Sequence, residues 1–179
     1  FYTLPGMQII TSMRSNHFEA VAMLLSLPFL LIYFALSALL VRTDIRTGLF
    51  PDKFLCPLLW TGLLYQLCLH PDFLPSAVVG AMAGYAGFAV IYWGYRLICR
   101  REGMGYGDIK YLAALGAWHG WCVLPILALV AALMALLYLV AFSLFTPDKQ
   151  ALKNPLPFGP FLAAAGLCVG WQTLVNLPL

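Results

Sequence analysis

Charged residues are scarce in this 179-residue chain, where Asp, Glu, Lys and Arg make up 9% of the sequence, against roughly 25% in an ordinary soluble domain. Apolar residues make up 63%. This composition excludes a soluble globular protein, and the abundance of apolar side chains also excludes a disordered chain. The net charge of +3 is too small and too scattered for a nucleic-acid-binding surface. We therefore expect a membrane protein that has no nucleic-acid partner.

Clustered cysteines are also absent. The five cysteines are isolated, and none forms a CxxC motif or a Cys/His cluster. Structural zinc sites are built from such clusters, so we expect no metal site and interpret the cysteines as buried free thiols in helices. Residues 1–16 lack the basic n-region of a signal peptide and are not interpreted as one.

Long apolar runs separated by polar, Gly- and Pro-containing loops predict the fold class. The runs cover residues 18–41, 54–69, 77–99, 109–145 and 161–175. A spanning helix needs about 20 apolar residues, and the fourth run is long enough for two helices, the first of about 12 residues, divided at the Trp-rich turn 118–121. We expect an all-α, polytopic membrane helical bundle with about six transmembrane helices. Glycines 80, 84 and 87 in the third run predict close helix packing.

Basic residues are distributed unevenly over the predicted loops. In a bundle of six helices, the loops after the first, third and fifth helices lie on one face. Nine of the ten basic residues lie on or beside that face: Arg42, Arg46, Lys53, Arg96, Arg100, Arg101, Lys110, Lys149 and Lys153. By the positive-inside rule this face is cytoplasmic, and residues 1–16 form a non-cytoplasmic N-terminal segment.

Two carboxylates are predicted at one depth of the membrane. Asp44 follows the first helix and Asp108 precedes the fourth, so both lie at the cytoplasmic boundary. Two neighbouring carboxyl groups share a proton, so that one is a general acid while the other activates water, as in aspartic peptidases. The alternatives are a helix cap for Asp108, a solvated loop position for Asp44 and a helix cap for Asp52.

These residues lie in segments that resemble the type IV prepilin peptidases. The resemblance rests on TDIRTGLFPDKFLCPLLWTGLL, on EGMGYGDIKYLAALGAWHGW with its GxGD signature, and on PLPFGPFLA at residues 155–163. It implies that Asp44 and Asp108 are the catalytic pair. Gly105 and Gly107 belong to the signature, with a substrate-binding or supporting role, and Asp52 is structural or supporting. Residues 17–179 would form the membrane-embedded aspartic peptidase domain.

The resemblance also implies an activity and a location. Members of the family are multi-pass enzymes of the bacterial inner membrane that cut the basic leader from prepilins and pseudopilins of type IV pili and type II secretion, after a Gly. The peptidase needs no cofactor, and many members also N-methylate the new N-terminus with S-adenosylmethionine. The expected partners are a prepilin or pseudopilin and the lipid bilayer, with the active site facing the cytoplasm.

One feature of the family is missing from this sequence. Many members carry a cytoplasmic domain with paired CxxC motifs, so this chain is either a short member or lacks an N-terminal part.

Two other classes of protein stay open at this point. One is a presenilin-like GxGD protease, which pairs a YD aspartate with a PAL motif, whereas Thr43 precedes Asp44 here. The other is a transporter or scaffold, which would place its polar site near the membrane midplane.

Overall fold

The computed structural model describes residues 5–100, 105–145 and 157–175, and these residues form six helices without a strand. A short 3-10 turn, Pro71–Phe73, joins the second helix to the third. The helices are α1 (Pro5–Thr47), α2 (Asp52–Leu69), α3 (Leu74–Cys99), α4 (Tyr106–His119), α5 (Leu124–Phe145) and α6 (Gly159–Val175). The all-α prediction is confirmed, as is the division of the fourth apolar run at the turn after His119.

Among the described residues, three segments are long and apolar enough to cross a membrane. They are Leu24–Thr47, Pro71–Ile98 and Leu124–Leu144. Their outward faces carry large apolar side chains, for example Leu31, Val90 and Leu137, each exposed over two thirds or more of its surface. Such faces are stable against lipid, so the chain is a multi-pass membrane protein. The other three helices are shorter than the roughly 20 residues of a standard span.

Helix α1 is longer than the apolar run that predicts it, and its extra turns include Asp44. The hydroxyl of Thr43 donates to the backbone carbonyl of Leu39 at 3.0 Å. The hydroxyl of Thr47 donates to the backbone carbonyl of Thr43 at 2.8 Å. Both bonds satisfy the polar side chains within the helix. The helix ends at Gly48, whose positive φ of 63° is a common helix C-terminal conformation. Asp44 therefore projects from a helix, not from a flexible loop.

Helix α4 lies at the centre of the bundle. From Asp108 to His119 every side chain except that of Lys110 is buried. A Cβ added at Gly84 of α3 would lie 2.8 Å from the carbonyl oxygen of Leu112, so the two backbones are in direct contact. On the other side, the indole N–H of Trp118 donates to the carbonyl of Leu58 in α2 at 2.9 Å. These contacts hold the position of α4 between α2 and α3.

Two smaller predictions about packing are corrected. No atom of the described residues lies within 4 Å of a Cβ added at Gly87, so this glycine does not mediate the α3–α4 approach as the neighbouring Gly84 does. The four cysteines whose side chains are described are free thiols, but they are exposed at the protein surface and not buried. In a membrane bundle an apolar run faces lipid as well as the interior, and hydropathy does not distinguish the two.

Candidate active site

Asp44 and Asp108 line one cavity of about 520 Å³. Asp44 lies in the last turn of α1 and Asp108 in the first turn of α4. Both carboxylates are 4% exposed. The structure thus brings together the two acidic side chains that the sequence predicts as a pair, and the interpretation of Asp44 as a solvated loop residue is wrong.

Three segments form the walls of this cavity. The first connects α1 to α2, the second is the glycine-containing start of α4, and the third precedes α6. The lining residues are Asp44, Ile45, Thr47, Gly48, Leu49, Phe50, Asp52, Gly105, Tyr106, Gly107, Asp108, Lys110, Pro157 and Phe158. The cavity therefore lies at the end of the bundle where these helix ends meet.

A backbone hydrogen bond holds Asp44 in place. The N–H of Gly159, the first residue of α6, donates to Oδ2 of Asp44 at 2.9 Å. A Cβ added at Gly159 would lie 2.6 Å from the same oxygen, closer than two atoms can pack. Only glycine therefore permits this approach. The charge-assisted bond stabilises the ionised carboxylate and fixes its orientation in the cavity.

Asp108 is in a different environment. The N-cap residue of α4 is Gly105, so the interpretation of Asp108 as the cap is wrong. Its Oδ1 is buried and has no hydrogen-bond partner among the described residues. Burial, and then the negative charge of Asp44, raise the pKa of Asp108 from 3.8 to about 7, while a backbone hydrogen bond from Gly105 acts in the opposite direction. Near neutral pH the Asp108 carboxyl therefore binds a proton that an ordinary aspartate would have lost.

Phe50 is a packing wedge behind the two carboxylates. A Cβ added at Gly107 would lie 2.7 Å from Cβ of Phe50, and one added at Gly159 would collide with the far end of the same ring. On its face the ring stacks on Tyr111 of α4, with the ring centroids 5.5 Å apart. The ring fills the space that the two glycines leave. Gly107 therefore supports packing here, whereas Gly105 is exposed at the cavity.

Asp52 forms an ion pair at the cavity wall. The N-cap of α2 is Pro51 and it has no side-chain cap bond, so the interpretation of Asp52 as a helix cap is wrong. Instead, Nζ of Lys110 donates to both oxygens of Asp52, at 2.7 and 3.0 Å. The hydrogen bond to Asp52 raises the pKa of Lys110. The pair joins the start of α2 to the first turn of α4, so Asp52 is in contact with the helix that carries Asp108.

Three residues of this site escape the sequence reasoning. Phe50 and Lys110 lie in segments that the resemblance covers, but nothing in their spacing indicates a contact partner. Gly159 belongs to the segment PLPFGPFLA, and its position between Phe158 and Pro160 is the only signal of a special backbone position. Within the described part of the chain, no group of three or more His, Cys, Asp or Glu side chains could hold a metal ion.

Comparison with known proteins gives a consistent result. The sequence profile described as the type IV leader peptidase family matches residues 21–140. The leader peptidase HopD of Escherichia coli is 56% identical over 150 residues, which cover 84% of this chain and 96% of that protein. The HopD of Salmonella typhimurium is 58% identical over 151 residues, with the same two coverages. No solved structure matches the chain.

A second group of relatives is longer. The prepilin leader peptidase/N-methyltransferase of Aeromonas salmonicida is 42% identical over 167 residues, which cover 90% of this chain and 55% of that protein. The present chain therefore spans just over half the length of a relative whose name carries both activities, and nearly the whole length of relatives named as leader peptidases alone.

Proposed function

The chain belongs to the type IV leader peptidase family, and we propose that it removes the basic leader of type IV prepilins or type II secretion pseudopilins with Asp44 and Asp108 as its catalytic pair. The observation that carries the proposal is the convergence of two buried carboxylates on one cavity. Buried carboxylates without a basic partner are costly, and they are typical of acid–base catalytic sites.

The surroundings of the two side chains divide their roles. Asp44 accepts the N–H of Gly159, which stabilises its charged form. Asp108 holds its proton up to about pH 7, because burial and the charge of Asp44 raise its pKa to about 7. The N-terminus of α4 favours the charged form of Asp108 by about 0.3–1 kcal/mol, which is too small to cancel burial and repulsion. Asp44 is thus the general base and Asp108 the general acid.

The reaction needs no group beyond these two and a water molecule. Asp44 takes a proton from the water, whose oxygen attacks the scissile carbonyl carbon, and Asp108 donates its proton to the carbonyl oxygen. When the tetrahedral intermediate collapses, the C–N bond breaks. The proton on Asp44 passes to the leaving amine, and Asp108 regains its proton from the hydroxyl group that becomes the new carboxyl carbonyl.

The position of the pair on the bundle suits a leader substrate. Asp44 is at the very end of the span Leu24–Thr47, so the site lies at a membrane boundary and not at the midplane. A chain with a basic leader in water and an apolar segment in lipid places its junction at this depth. A transporter would place its polar site near the membrane midplane, and Asp44 and Asp108 do not lie there.

We further propose that this boundary is the cytoplasmic face of the bacterial inner membrane. The basic side chains that the structure describes lie in the last turns of α1 and α3, just after α3, or in the first turns of α2 and α4: Arg42, Arg46, Lys53, Arg96, Arg100 and Lys110. All of these helix ends are at the end of the bundle that holds the cavity. The positive-inside rule assigns that end to the cytoplasm.

Within the described residues, neither of the two cavities beside Asp52 and Lys110 offers a separate place for S-adenosylmethionine. The larger cavity contains the carboxylates that the peptide bond must reach. The smaller one, of about 250 Å³, is lined mainly by apolar side chains and does not fit a charged nucleoside. Methyl transfer is an activity in the printed name of a longer relative. We propose the peptidase activity for this chain, and methyl transfer to the new N-terminus stays a prediction that follows from the resemblance to such longer relatives.

A cleavage assay with purified protein in detergent tests the proposed function. The substrate is a precursor with a basic leader, a Gly before the scissile bond and an apolar segment after it, and mass spectrometry identifies the new N-terminus. We expect cleavage after the Gly, and much slower cleavage when that Gly is replaced by Leu, because a residue without a side chain lets the substrate backbone lie against Gly105, which is exposed at the cavity. Equal cleavage of both precursors would favour a less selective intramembrane protease.

A further inference from the structure

A second cavity, which we call the α2–α3 groove, adjoins the candidate active site. It has a volume of about 250 Å³ and lies over α4, between α2 and α3. Its walls are Leu55, Cys56 and Leu59 from α2, Tyr85 from α3 and Ala113 from α4, with Asp52 and Lys110 at one end. The groove is apolar except at the ion pair, and nothing in the proposed chemistry uses it.

The groove and the active-site cavity are adjacent and share part of one wall. Asp52 and Lys110 line both. A second polar bridge marks the same junction, because the hydroxyl of Tyr85 in the groove is hydrogen-bonded to that of Tyr106 in the active-site cavity. An extended chain bound beside Asp44 and Asp108 therefore reaches the groove by passing over the side chains of these two bridges.

The groove runs from the membrane boundary towards the interior of the bundle. On α2 it extends from Asp52 to Leu59, a distance of about 10 Å at 1.5 Å per residue. On α4 it extends one turn beyond Lys110, to Ala113. The residues that line the groove are polar at the level of the active site and apolar further from it. This is the order of polarity that a leader substrate has on the C-terminal side of its scissile bond.

We propose that the α2–α3 groove is a binding subsite for the apolar segment that follows the scissile bond of the substrate. The inference rests on the proposed function and adds the location of the substrate's membrane segment. A transmembrane substrate reaches the groove from lipid, because the outer faces of α2 and α3 are apolar here, with Trp60 and Met82 each more than 60% exposed. Burial of one or two aliphatic side chains in the groove contributes to binding the precursor but not to the chemical step.

Native cysteines offer a test that leaves the fold intact. Cys56 lines the groove and Cys68 lies on the same helix outside it, and both are exposed. We would prepare two single-cysteine proteins in which the other four cysteines are Ala, one retaining Cys56 and the other Cys68. Each is labelled with a bulky benzyl maleimide or with a small methylthio group. Cleavage is measured on a full precursor and on a short peptide that ends two residues after the scissile bond.

The expected result is selective. The benzyl label on Cys56 should raise KM for the full precursor about tenfold to one hundredfold, the cost of displacing one or two buried aliphatic side chains. The short peptide should be cleaved as before, and neither label on Cys68 should matter. Two results would disprove the subsite: the labelled Cys56 protein cleaves the full precursor normally, or its cleavage of the precursor and of the short peptide falls by the same factor. In either case the peptidase activity of the unlabelled protein stands. If the unlabelled protein cleaves neither substrate, the proposed function itself fails.

Photocrosslinking identifies the occupant of the groove directly. A benzophenone maleimide on Cys56 should crosslink to the precursor within the apolar residues just after the scissile bond, as located by mass spectrometry. The same probe on Cys68 should not crosslink to these residues. Crosslinks from Cys56 to lipid alone, in the presence of saturating precursor, would show that the groove holds an acyl chain and would overturn the proposal.

Discussion

The backbone N–H of Gly159 donates a hydrogen bond to Oδ2 of Asp44 at 2.9 Å, and this bond joins the start of α6 to the end of α1. The two residues are separated by 115 positions in the chain, so no local pattern indicates the contact. The bond orients a carboxylate that is 4% exposed, and it requires a residue without a side chain at position 159. The geometry of the proposed catalytic pair thus depends on a residue outside the GxGD signature.

Gly159→Ala should separate positioning from folding. The new Cβ would lie 2.6 Å from Oδ2 of Asp44 and would also collide with Phe50, so Asp44 must move. A displacement of this kind costs about one hundredfold in rate when the reacting group is misplaced by about 1 Å. The control is Gly87→Ala, where no atom in the described part of the chain lies within 4 Å of the added Cβ. Initial cleavage rates and melting temperatures in detergent would be measured, and a Gly159→Ala rate equal to that of the control would refute the positioning role.

The pH dependence of stability should reveal the buried Asp108. Its pKa is higher in the folded protein, at about 7, than the ordinary value of 3.8. A carboxyl group with a raised pKa contributes its full stabilisation below the lower value, and that contribution is lost as the pH rises through the higher one. The melting temperature of the wild type should therefore fall more steeply than that of Asp108→Asn between about pH 4 and about pH 7. The exposed control Asp72→Asn should follow the wild type, and parallel curves for Asp108→Asn and the wild type would contradict the pKa assignment.

The cleavage rate should also fall as the pH rises above about 7, because the proton that Asp108 donates is then lost. Single-turnover rates across the pH range, measured on protein that is folded at each pH, would show this limb. A rate that keeps rising above that pH would exclude Asp108 as the general acid.

The ion pair between Asp52 and Lys110 should contribute little to the free energy of unfolding. The two side chains are 61% and 35% exposed, so the coupling energy in a double-mutant cycle should be about 0.2–1 kcal/mol. Asp52→Asn should keep its activity within about tenfold of the wild type, because the residue does not supply the reacting proton. The reversed pair, Asp52→Lys with Lys110→Asp, should recover part of the loss that each single charge reversal causes. Complete inactivation by Asp52→Asn would place this residue in the chemistry.

The orientation in the membrane is testable by cysteine accessibility. In a cysteine-free background, a membrane-impermeant thiol reagent applied to intact cells should label a cysteine introduced at Asp72 but not one introduced at Arg46. Permeabilised cells supply the control, in which both should react. Labelling at Arg46 alone in intact cells would place the proposed catalytic pair on the outer side.

Hydropathy and spacing predict most of this fold for a physical reason. Apolar runs broken by Gly and Pro gave the ends of α2, α3 and α5 to within a few residues, because lipid and the bundle interior both demand apolar helices. The same reasoning missed the last turn of α1, where Thr43 and Thr47 satisfy their hydroxyls within the helix. The short length of α4 was predictable, because dividing the fourth run at the Trp-rich turn gives a helix of about 12 residues, and the helix has 14.

The two carboxylates of the site could be predicted from the sequence, whereas the residues that hold them in position could not. Asp44 and Asp108 could be paired because burying a charged carboxylate at a membrane boundary is costly and therefore points to a function. The alternation of helices also places both residues at one end of the bundle. The interpretation of Asp52 as a cap failed because Pro51 is the N-cap of α2, and the Asp52 carboxylate pairs with Lys110 instead. The packing of Phe50 depends on contacts of the α1–α2 connection with α4 and α6, and long-range contacts of that kind leave no periodic pattern in a single sequence.

The most direct test of the catalytic pair is the cleavage rate of Asp44→Asn and Asp108→Asn, each purified in detergent and compared with the wild type and with Asp52→Asn on the same precursor. An amide can neither share the proton nor activate water, so each of the first two variants should lose activity by at least about one hundredfold. Asp52→Asn should remain active, and melting temperatures should show that all the proteins are folded. Turnover at the wild-type rate by either Asp44→Asn or Asp108→Asn would contradict the assignment of these two residues as the catalytic pair.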